Sequence, residues 1–264
     1  MDLQLTNKLA LVTGSTKGIG VAIATGLARE GARAIINGRT EKSVNAALVK
    51  IQAAVPAAQL DGFVGDLADA TTADVLVRQF PAVDILVNNL GIFEPKPFEQ
   101  IPDADWRRFF EVNVLSGVRL SRHYIGPMKE KNWGRIVFIS SESGLQIPAE
   151  MIHYGMTKAA ELALVNGLAQ LTRGTAVTVN GVLPGPTASE GVTEFVDKLA
   201  AGARQTPAEF EKEFFRSVRP TSLLQRFATV DEVASQVACL CSPLAAATNG
   251  AAVRVDGGVV RGTM

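Results

Sequence analysis

The residues best suited to chemistry are Tyr154 and Lys158, in Tyr154-Gly155-Met156-Thr157-Lys158, with the pair Ser140-Ser141 a short loop upstream. A spacing of four puts Tyr154 and Lys158 on one face of a helix, about a turn apart. A free tyrosine ionises near ~10, too high for ready proton exchange at neutral pH, and a fixed positive charge beside it favours the phenolate and lowers that value. A hydroxyl from Ser141 at a strand end can hold a substrate oxygen between itself and the Tyr154 hydroxyl. The chemistry so implied is proton transfer to or from an oxygen. On its own, Tyr-x-x-x-Lys is most often solvated helix surface, so the assignment depends on the elements around it.

Composition narrows what those elements can be. The chain has 264 residues, which fits one α/β domain, and no linker divides it. Hydrophobic residues make up 47% and charged ones 20%, with 26 basic against 26 acidic side chains. That balance excludes a disordered chain and a nucleic-acid-binding field, and leaves small ligands as the expected partners. No run of eighteen apolar residues suggests a membrane span, and MDLQLTNKLALVTG passes directly into a first strand rather than a leader, so the expectation is a soluble cytoplasmic protein. The only cysteines, Cys239 and Cys241, stand two apart near the end of a predicted helix. They fit neither a disulfide framework nor a zinc site and are read as packing residues. The only histidines are His123 and His153, too few for a histidine triad or metal cluster, and no metal is expected.

The elements in chain order place the rest. Lys8 to Thr13 is an apolar run that breaks into Gly14-Ser15-Thr16-Lys17-Gly18-Ile19-Gly20 and continues as an amphipathic helix. Glycines let the backbone approach a ligand closely, and the helix N-terminus offers free N–H groups to a pyrophosphate, so a dinucleotide is the natural occupant. The spacing is Gly-x-x-x-Gly-x-Gly rather than Gly-x-Gly-x-x-Gly, so the claim rests on the strand, turn and helix context. A second strand, Ala32 to Asn37, is followed by Gly38-Arg39-Thr40 with no acidic residue to accept from a ribose hydroxyl. Arg39 and Lys17 would instead pair with a 2′-phosphate, which favours NADP(H) over NAD(H); otherwise both are surface bases.

A helix over Lys42 to Val55 and a strand near Gln59 to Val64 lead to Gly65-Asp66-Leu67. Asp66 either accepts from an adenine amino group or caps the next helix. The strand Val83 to Val87 runs into Asn88-Asn89-Leu90-Gly91, a polar wall for a cleft at the carboxyl edge of a sheet. Pro102 to Glu130 reads as one long helical pattern with Asn113 inside its apolar stretch, either a structural hydrogen-bonder or a member of a proton path. His123, further along, reads as structural. After the Arg135 strand and the helix through Leu171 comes a strand over Ala176 to Leu183, ending at Pro184-Gly185-Pro186-Thr187. That turn can grip a cofactor carboxamide, or be only a loop. Ser189 to Arg219, with Phe195, Phe210, Phe214 and Phe215, is long for a connection and reads as a mobile lid over substrate. A helix Val230 to Cys241, a strand Ala251 to Val255 and Asp256-Gly257-Gly258 close the chain.

This alternation demands a parallel, doubly wound sheet of about seven strands with helices on both faces. The motifs TGSTKGIG at Thr13 to Gly20, Asp66-Leu67, NNLG at Asn88 to Gly91, Asn113, Ser141, YGMTK, PGPT at Pro184 to Thr187 and the closing VDGG span the whole length. Together they make the chain resemble the classical short-chain dehydrogenase/reductase family. The resemblance implies a single Rossmann-type domain over residues 1–264. It implies that Tyr154 is the general acid in carbonyl reduction, that Lys158 lowers its pKa and binds the nicotinamide ribose, that Ser141 positions the carbonyl oxygen and that Asn113 holds a water linking Lys158 to solvent. The glycine turn, Arg39, Asp66, Leu67, Asn89, Leu90, Gly91, Pro184, Gly185 and Thr187 would bind the cofactor, and a homotetramer is expected. Leu90 departs from the family's usual alanine, and Glu142 and Glu150 bring carboxylates to the substrate side. The expected activity is NADP(H)-dependent ketone reduction or secondary-alcohol oxidation, with 3-oxoacyl thioesters among the possible substrates. The alternative is a catalytically idle NADP-binding regulator or scaffold, which predicts erosion of Asn113, Ser141, Tyr154 or Lys158; all four are intact.

Overall fold

A computed structural model describes residues 1–191 and 205–262. The inner strands of its sheet grow from short apolar runs that are buried on both faces, which is what parallel strands covered by helices require. The order of elements is β1 (Leu9–Val12), α1 (Gly18–Arg29), β2 (Arg33–Gly38), α2 (Glu41–Ala54), β3 (Leu60–Val64), α3 (Ala70–Gln79) and β4 (Ile85–Asn88). Then follow α4 (Asp103–Phe110), α5 (Ser116–Glu130), β5 (Gly134–Ile139), α6 (Ile152–Gln170), β6 (Val177–Pro184), β7 (Thr187–Ala188), α7 (Pro207–Ser217), β8 (Ala228–Thr229), α8 (Val230–Cys241) and β9 (Ala252–Val255).

Seven of the strands form one sheet in the order β3-β2-β1-β4-β5-β6-β9, every neighbouring pair parallel. The chain winds one way from β1 to β3 and the other way from β4 onward. The strand order therefore reverses between β1 and β4, and a ligand crevice opens there at the carboxyl edge. Successive residues of one strand serve opposite faces. Ala10 and Val12 join the cluster under α1, α2 and α8, while Leu11 between them joins the cluster under α3, α5 and α6. The expected architecture is thus the observed one. No helix among the described residues is long and apolar enough to cross a membrane.

Most sequence-derived boundaries hold within a residue or two, and four readings change. Pro102 to Glu130 is not one continuous helix: α4 ends at Phe110, a π-helical turn spans Glu111–Leu115, and α5 begins at Ser116. Asn113 lies inside that turn, a bulge of the kind that collects at functional sites. Of the cysteines only Cys241 is buried; Cys239 is exposed, so it is not a packing residue. In the Ser189 to Arg219 segment, α7 is started by a capping box between Thr206 and Glu209 with Pro207 in its first turn, whereas residues 192–204, Phe195 included, lie outside the described residues. Finally, β7 pairs in parallel with β8, so the chain after Pro184 is tied to the approach to α8.

Candidate active site

The glycine turn is shaped from beneath by side chains that do not face the crevice. Gly14 adopts φ +59°, a left-handed conformation that favours glycine, and its N–H donates to Asn37 Oδ1 at 3.0 Å. Ser15 is fully buried; its Oγ donates to Val12 O at 2.7 Å and accepts from Asn37 N at 2.9 Å, so Ser15 holds the turn rather than a ligand. Asn89 closes the turn from the β4 side, Nδ2 donating to Thr13 O (2.8 Å) and Gly14 O (3.1 Å). Only a glycine fits at position 20, because a Cβ there would lie 2.5 Å from Gly14 O and 2.6 Å from Asn89 Nδ2.

The turn ends at the N-terminus of α1, where Lys17, exposed, occupies the cap position without a side-chain capping bond. Gly18 N–H donates instead to Glu190 Oε2 at 2.7 Å, and Lys50 Nζ holds the other oxygen at 3.0 Å. An oxyanion thus sits on the amide that a phosphate oxygen would meet, so the residues present fit a dinucleotide. Arg39, exposed just beyond β2, makes no hydrogen bond or ion pair with any described residue. Asp66 Oδ1 accepts from Ala68 N, while Asp69 caps α3, so the capping reading of Asp66 is wrong by three residues. Leu67 is buried under the sheet. Asn88 also departs from the polar-wall reading: it turns away to Ser121 Oγ at 3.1 Å, leaving Asn89 as the amide beside the turn. Leu90 takes its N–H to Thr13 Oγ1 and packs its side chain against the core, so its bulk does not narrow the cavity.

The four residues expected to carry chemistry converge where β4, β5 and α6 meet. Lys158 Nζ lies 5.7 Å from the centre of the Tyr154 ring and donates to Ile139 O at 2.9 Å. It is also gripped by Glu161, at 2.9 and 3.1 Å to the two carboxylate oxygens. The π-helical turn aims Asn113 inward: Oδ1 accepts from Ile92 N (2.8 Å), and Nδ2 donates to Ile92 O (3.0 Å) and Thr157 Oγ1 (2.9 Å). Ser140 donates to Lys158 O at 2.9 Å, a structural bond, whereas the Ser141 hydroxyl stands beside Tyr154 and donates to Glu142 Oε2 at 2.7 Å. His153, packed on Phe109 with ring centres 4.0 Å apart, belongs to the core.

Electrostatics at this point run against one expectation. Burial pushes the Tyr154 phenol above its ordinary value, and the lowering exerted by Lys158 and by the Ser141 hydroxyl does not overcome it. Tyr154 is therefore held protonated, the form a proton donor needs. For Lys158, burial works against the charge, but the Glu161 carboxylate and Tyr154 together outweigh it and the ammonium is reinforced. Burial pushes Glu161 up to about 7.

A cavity of about 520 Å³ runs from Ile19 at the glycine turn past Ser141 and Tyr154 to Thr187. Pro184 and Gly185 line it too. Thr187 Oγ1 donates to Gly185 O at 2.9 Å, which fixes the rim after β6. Phe210, Phe214 and Val218 form the far wall together with Arg219, whose guanidinium reaches Glu142 (3.1 Å) and Glu150 (3.2 Å). Sequence reasoning missed the part played by four residues. Glu161 carried a usable signal, three residues past Lys158 on the same face. Asn37, Glu190 and Arg219 carried none, since they meet Gly14, Gly18 and Glu142 only through the fold.

A glycine turn at the switch point of a doubly wound sheet, with a Tyr–Lys dyad on the opposite rim of one cavity, defines a dinucleotide-dependent oxidoreductase. A family model described as short chain dehydrogenase matches residues 8–200. An uncharacterized oxidoreductase, YvaG, of Bacillus subtilis is 49% identical over 99% of both chains. The L-sorbose reductase of Gluconobacter frateurii, solved with NADPH and L-sorbose, superposes with a TM-score of 0.93 at 27% identity, over 99% of this chain and 100% of that one. A 7α-hydroxysteroid dehydrogenase solved with NADH and a 7-oxo bile acid gives 0.83 at 29% identity, over 100% and 98%. The chain belongs to the short-chain dehydrogenase/reductase family and is an oxidoreductase acting on CH–OH/C=O groups.

Proposed function

We propose that this protein is an NADP(H)-dependent ketone reductase or secondary-alcohol dehydrogenase in which Tyr154, Lys158, Ser141 and Asn113 carry the proton chemistry. The observation that carries this reading is the meeting of Tyr154, Ser141 and Lys158 on one wall of a cavity whose other end is the glycine turn. When bound, the dinucleotide supplies the hydride, and the protein's part is orientation and proton traffic. In reduction, the Tyr154 hydroxyl donates its proton to the carbonyl oxygen as that oxygen gains negative charge. The Lys158 ammonium, 5.7 Å from the ring, stabilises the phenolate that remains. Ser141 holds the same oxygen once its hydroxyl turns from Glu142 to the substrate. Asn113, fixed between Ile92 and Thr157, keeps the polar route behind Lys158 open. Oxidation of an alcohol runs through the same groups in reverse.

The glycine turn from Gly14 to Gly20 (the buried Ser15 apart), Asn89 and Gly91, and Pro184 to Thr187 are the proposed cofactor contacts, with Asp66 and Leu67 beside the adenine. The preference for NADP(H) rests on Arg39, an uncommitted positive charge beyond β2 with no acidic residue in the turn beside it. We further propose one working domain in which the described end of the Ser189 to Arg219 segment covers the substrate, because Phe210, Phe214, Val218 and Arg219 line the cavity. A cytoplasmic homotetramer completes the reading on the strength of the family resemblance, and light scattering on the purified protein tests its assembly.

The reading is tested by following NADPH and NADH consumption over a panel of ketones, aldehydes and 3-oxoacyl thioesters. Turnover that favours NADPH is the expected result. Binding of both cofactors with no turnover anywhere in the panel would favour the idle regulator instead.

A further inference from the structure

Lys158 and Glu161 form an ion pair inside the helix–sheet interface, with side chains only 5% and 3% exposed. Both carboxylate oxygens face the ammonium, and the main chain meets it from the other side at Ile139 O. Glu161 does not line the cavity, so anything it does to the reacting atoms it does through Lys158. A purely structural ion pair at such depth gives no advantage over apolar side chains of the same volume.

Among the described residues, the charged groups near the pair are few. On α6 itself Tyr154 is the one other ionisable group that acts on it. β6 carries no ionisable side chain, and Arg135, the one on β5, is spent at the far end of the strand on Gly134 O, Ala176 O and Ser242 O. After β5, Glu142 acts on Tyr154 but is neutralised by Arg219, and Glu111 in the π-helical turn is paired with Arg119. The field that Tyr154 feels from its own helix is therefore the sum of one ammonium and one carboxylate.

We infer that Glu161 is a positioning residue that sets how far the Lys158 charge favours the Tyr154 phenolate, and thereby the pH range of turnover. With Glu161 ionised the pair is nearly neutral as seen from Tyr154; with Glu161 protonated the ammonium acts alone. Burial brings that change of state close to neutral pH, since Glu161 is pushed up to about 7. The inference rests on the proposed role of Tyr154 as proton donor, but its primary test needs neither substrate nor cofactor.

The chain has two tyrosines, so the titrations are run on a Tyr124→Phe background, where the first and only phenolate to appear on raising the pH is that of Tyr154. In Glu161→Gln, near-ultraviolet absorbance should show that first step moved down by about one pH unit. The alkaline limb of the reduction pH–rate profile should move with it, and Glu161→Asp should restore both. An unshifted first step in Glu161→Gln, or an Asp variant that behaves like the Gln variant, overturns the inference. Should Glu161→Gln not fold, the infrared carbonyl band of the buried Glu161 acid decides instead: in Lys158→Met it should persist to higher pH than in wild type, and a band lost at the same pH overturns the inference. These titrations stand even if Tyr154→Phe keeps its turnover, a result that would sink the proposed function alone.

Discussion

Gly20→Ala is the substitution whose effect follows most directly from the geometry of the crevice. The added Cβ would lie 2.5 Å from Gly14 O, 2.6 Å from Asn89 Nδ2 and 2.9 Å from Ser15 Cα. Two of those three atoms are main chain and the third is a side chain held by two hydrogen bonds, so the turn must shift to admit the methyl. Overpacking of this kind costs about 1–3 kcal/mol. Breaking one of the Asn89 bonds adds about 1 kcal/mol. Gly26 provides the control on the same helix, because a Cβ there first meets Ala234 Cβ at an ordinary 3.9 Å. Gly26→Ala should stabilise by roughly 0.5–1 kcal/mol from helix propensity. For a chain of this size about 3 kcal/mol lowers the melting temperature by roughly 6–12 °C. Thermal denaturation and fluorescence titration with NADPH on both variants form the assay. The expected outcome is a less stable Gly20→Ala with dinucleotide affinity reduced at least about tenfold, and a Gly26→Ala that binds like wild type. A Gly20→Ala protein as stable and as tight-binding as wild type would refute the account of the turn.

Three further outcomes are expected. Arg39→Asp should raise the KM for NADPH about tenfold or more relative to NADH, the scale of a charge-assisted bond to a phosphate; an unchanged ratio means that Arg39 faces solvent only. Arg219→Ala leaves Glu142 buried without its partner, so denaturant unfolding should show a loss of about 3 kcal/mol, and steady-state kinetics a larger rise in KM for substrate than for cofactor. An equal loss for both ligands would make the segment before Arg219 structural. The pH dependence of stability provides the third. Glu161 has a folded value raised to about 7 from 4.5, so between those pH values the unfolded chain loses this proton first and stability falls as pH rises. The stability of wild type minus that of Glu161→Gln should fall by roughly 3 kcal/mol across that window, and a flat difference would contradict the raised value.

The fold was legible because its signals are local. Apolar runs of four to six residues, each followed by a glycine or polar turn and an amphipathic stretch, leave few topologies open. The placement of Tyr154, Lys158 and Ser141 was legible for a related reason: each sits at a strand end or on a helix face whose direction the pattern already fixes. The π-helical turn at Glu111–Leu115 was not, since one extra residue in a helix leaves the apolar periodicity of Phe109 and Val114 almost unchanged. Nor was the net effect on Tyr154, because spacing reveals the neighbouring ammonium but not the depth of burial that opposes it. The Glu142–Arg219 pair joins residues 77 apart and the Gly18–Glu190 bond residues 172 apart, and contacts of that kind depend on packed geometry rather than on pattern.

The central claim is that Tyr154 gives and takes the proton while the rest of the cavity binds and orients. Tyr154→Phe removes one hydroxyl from that wall and leaves the glycine turn untouched. Turnover of a substrate found in the panel and NADPH affinity by fluorescence titration, measured on the same preparation, separate the two roles. The account predicts turnover lower by about a hundred- to ten-thousand-fold with NADPH affinity within about twofold of wild type. Turnover preserved in Tyr154→Phe would contradict it.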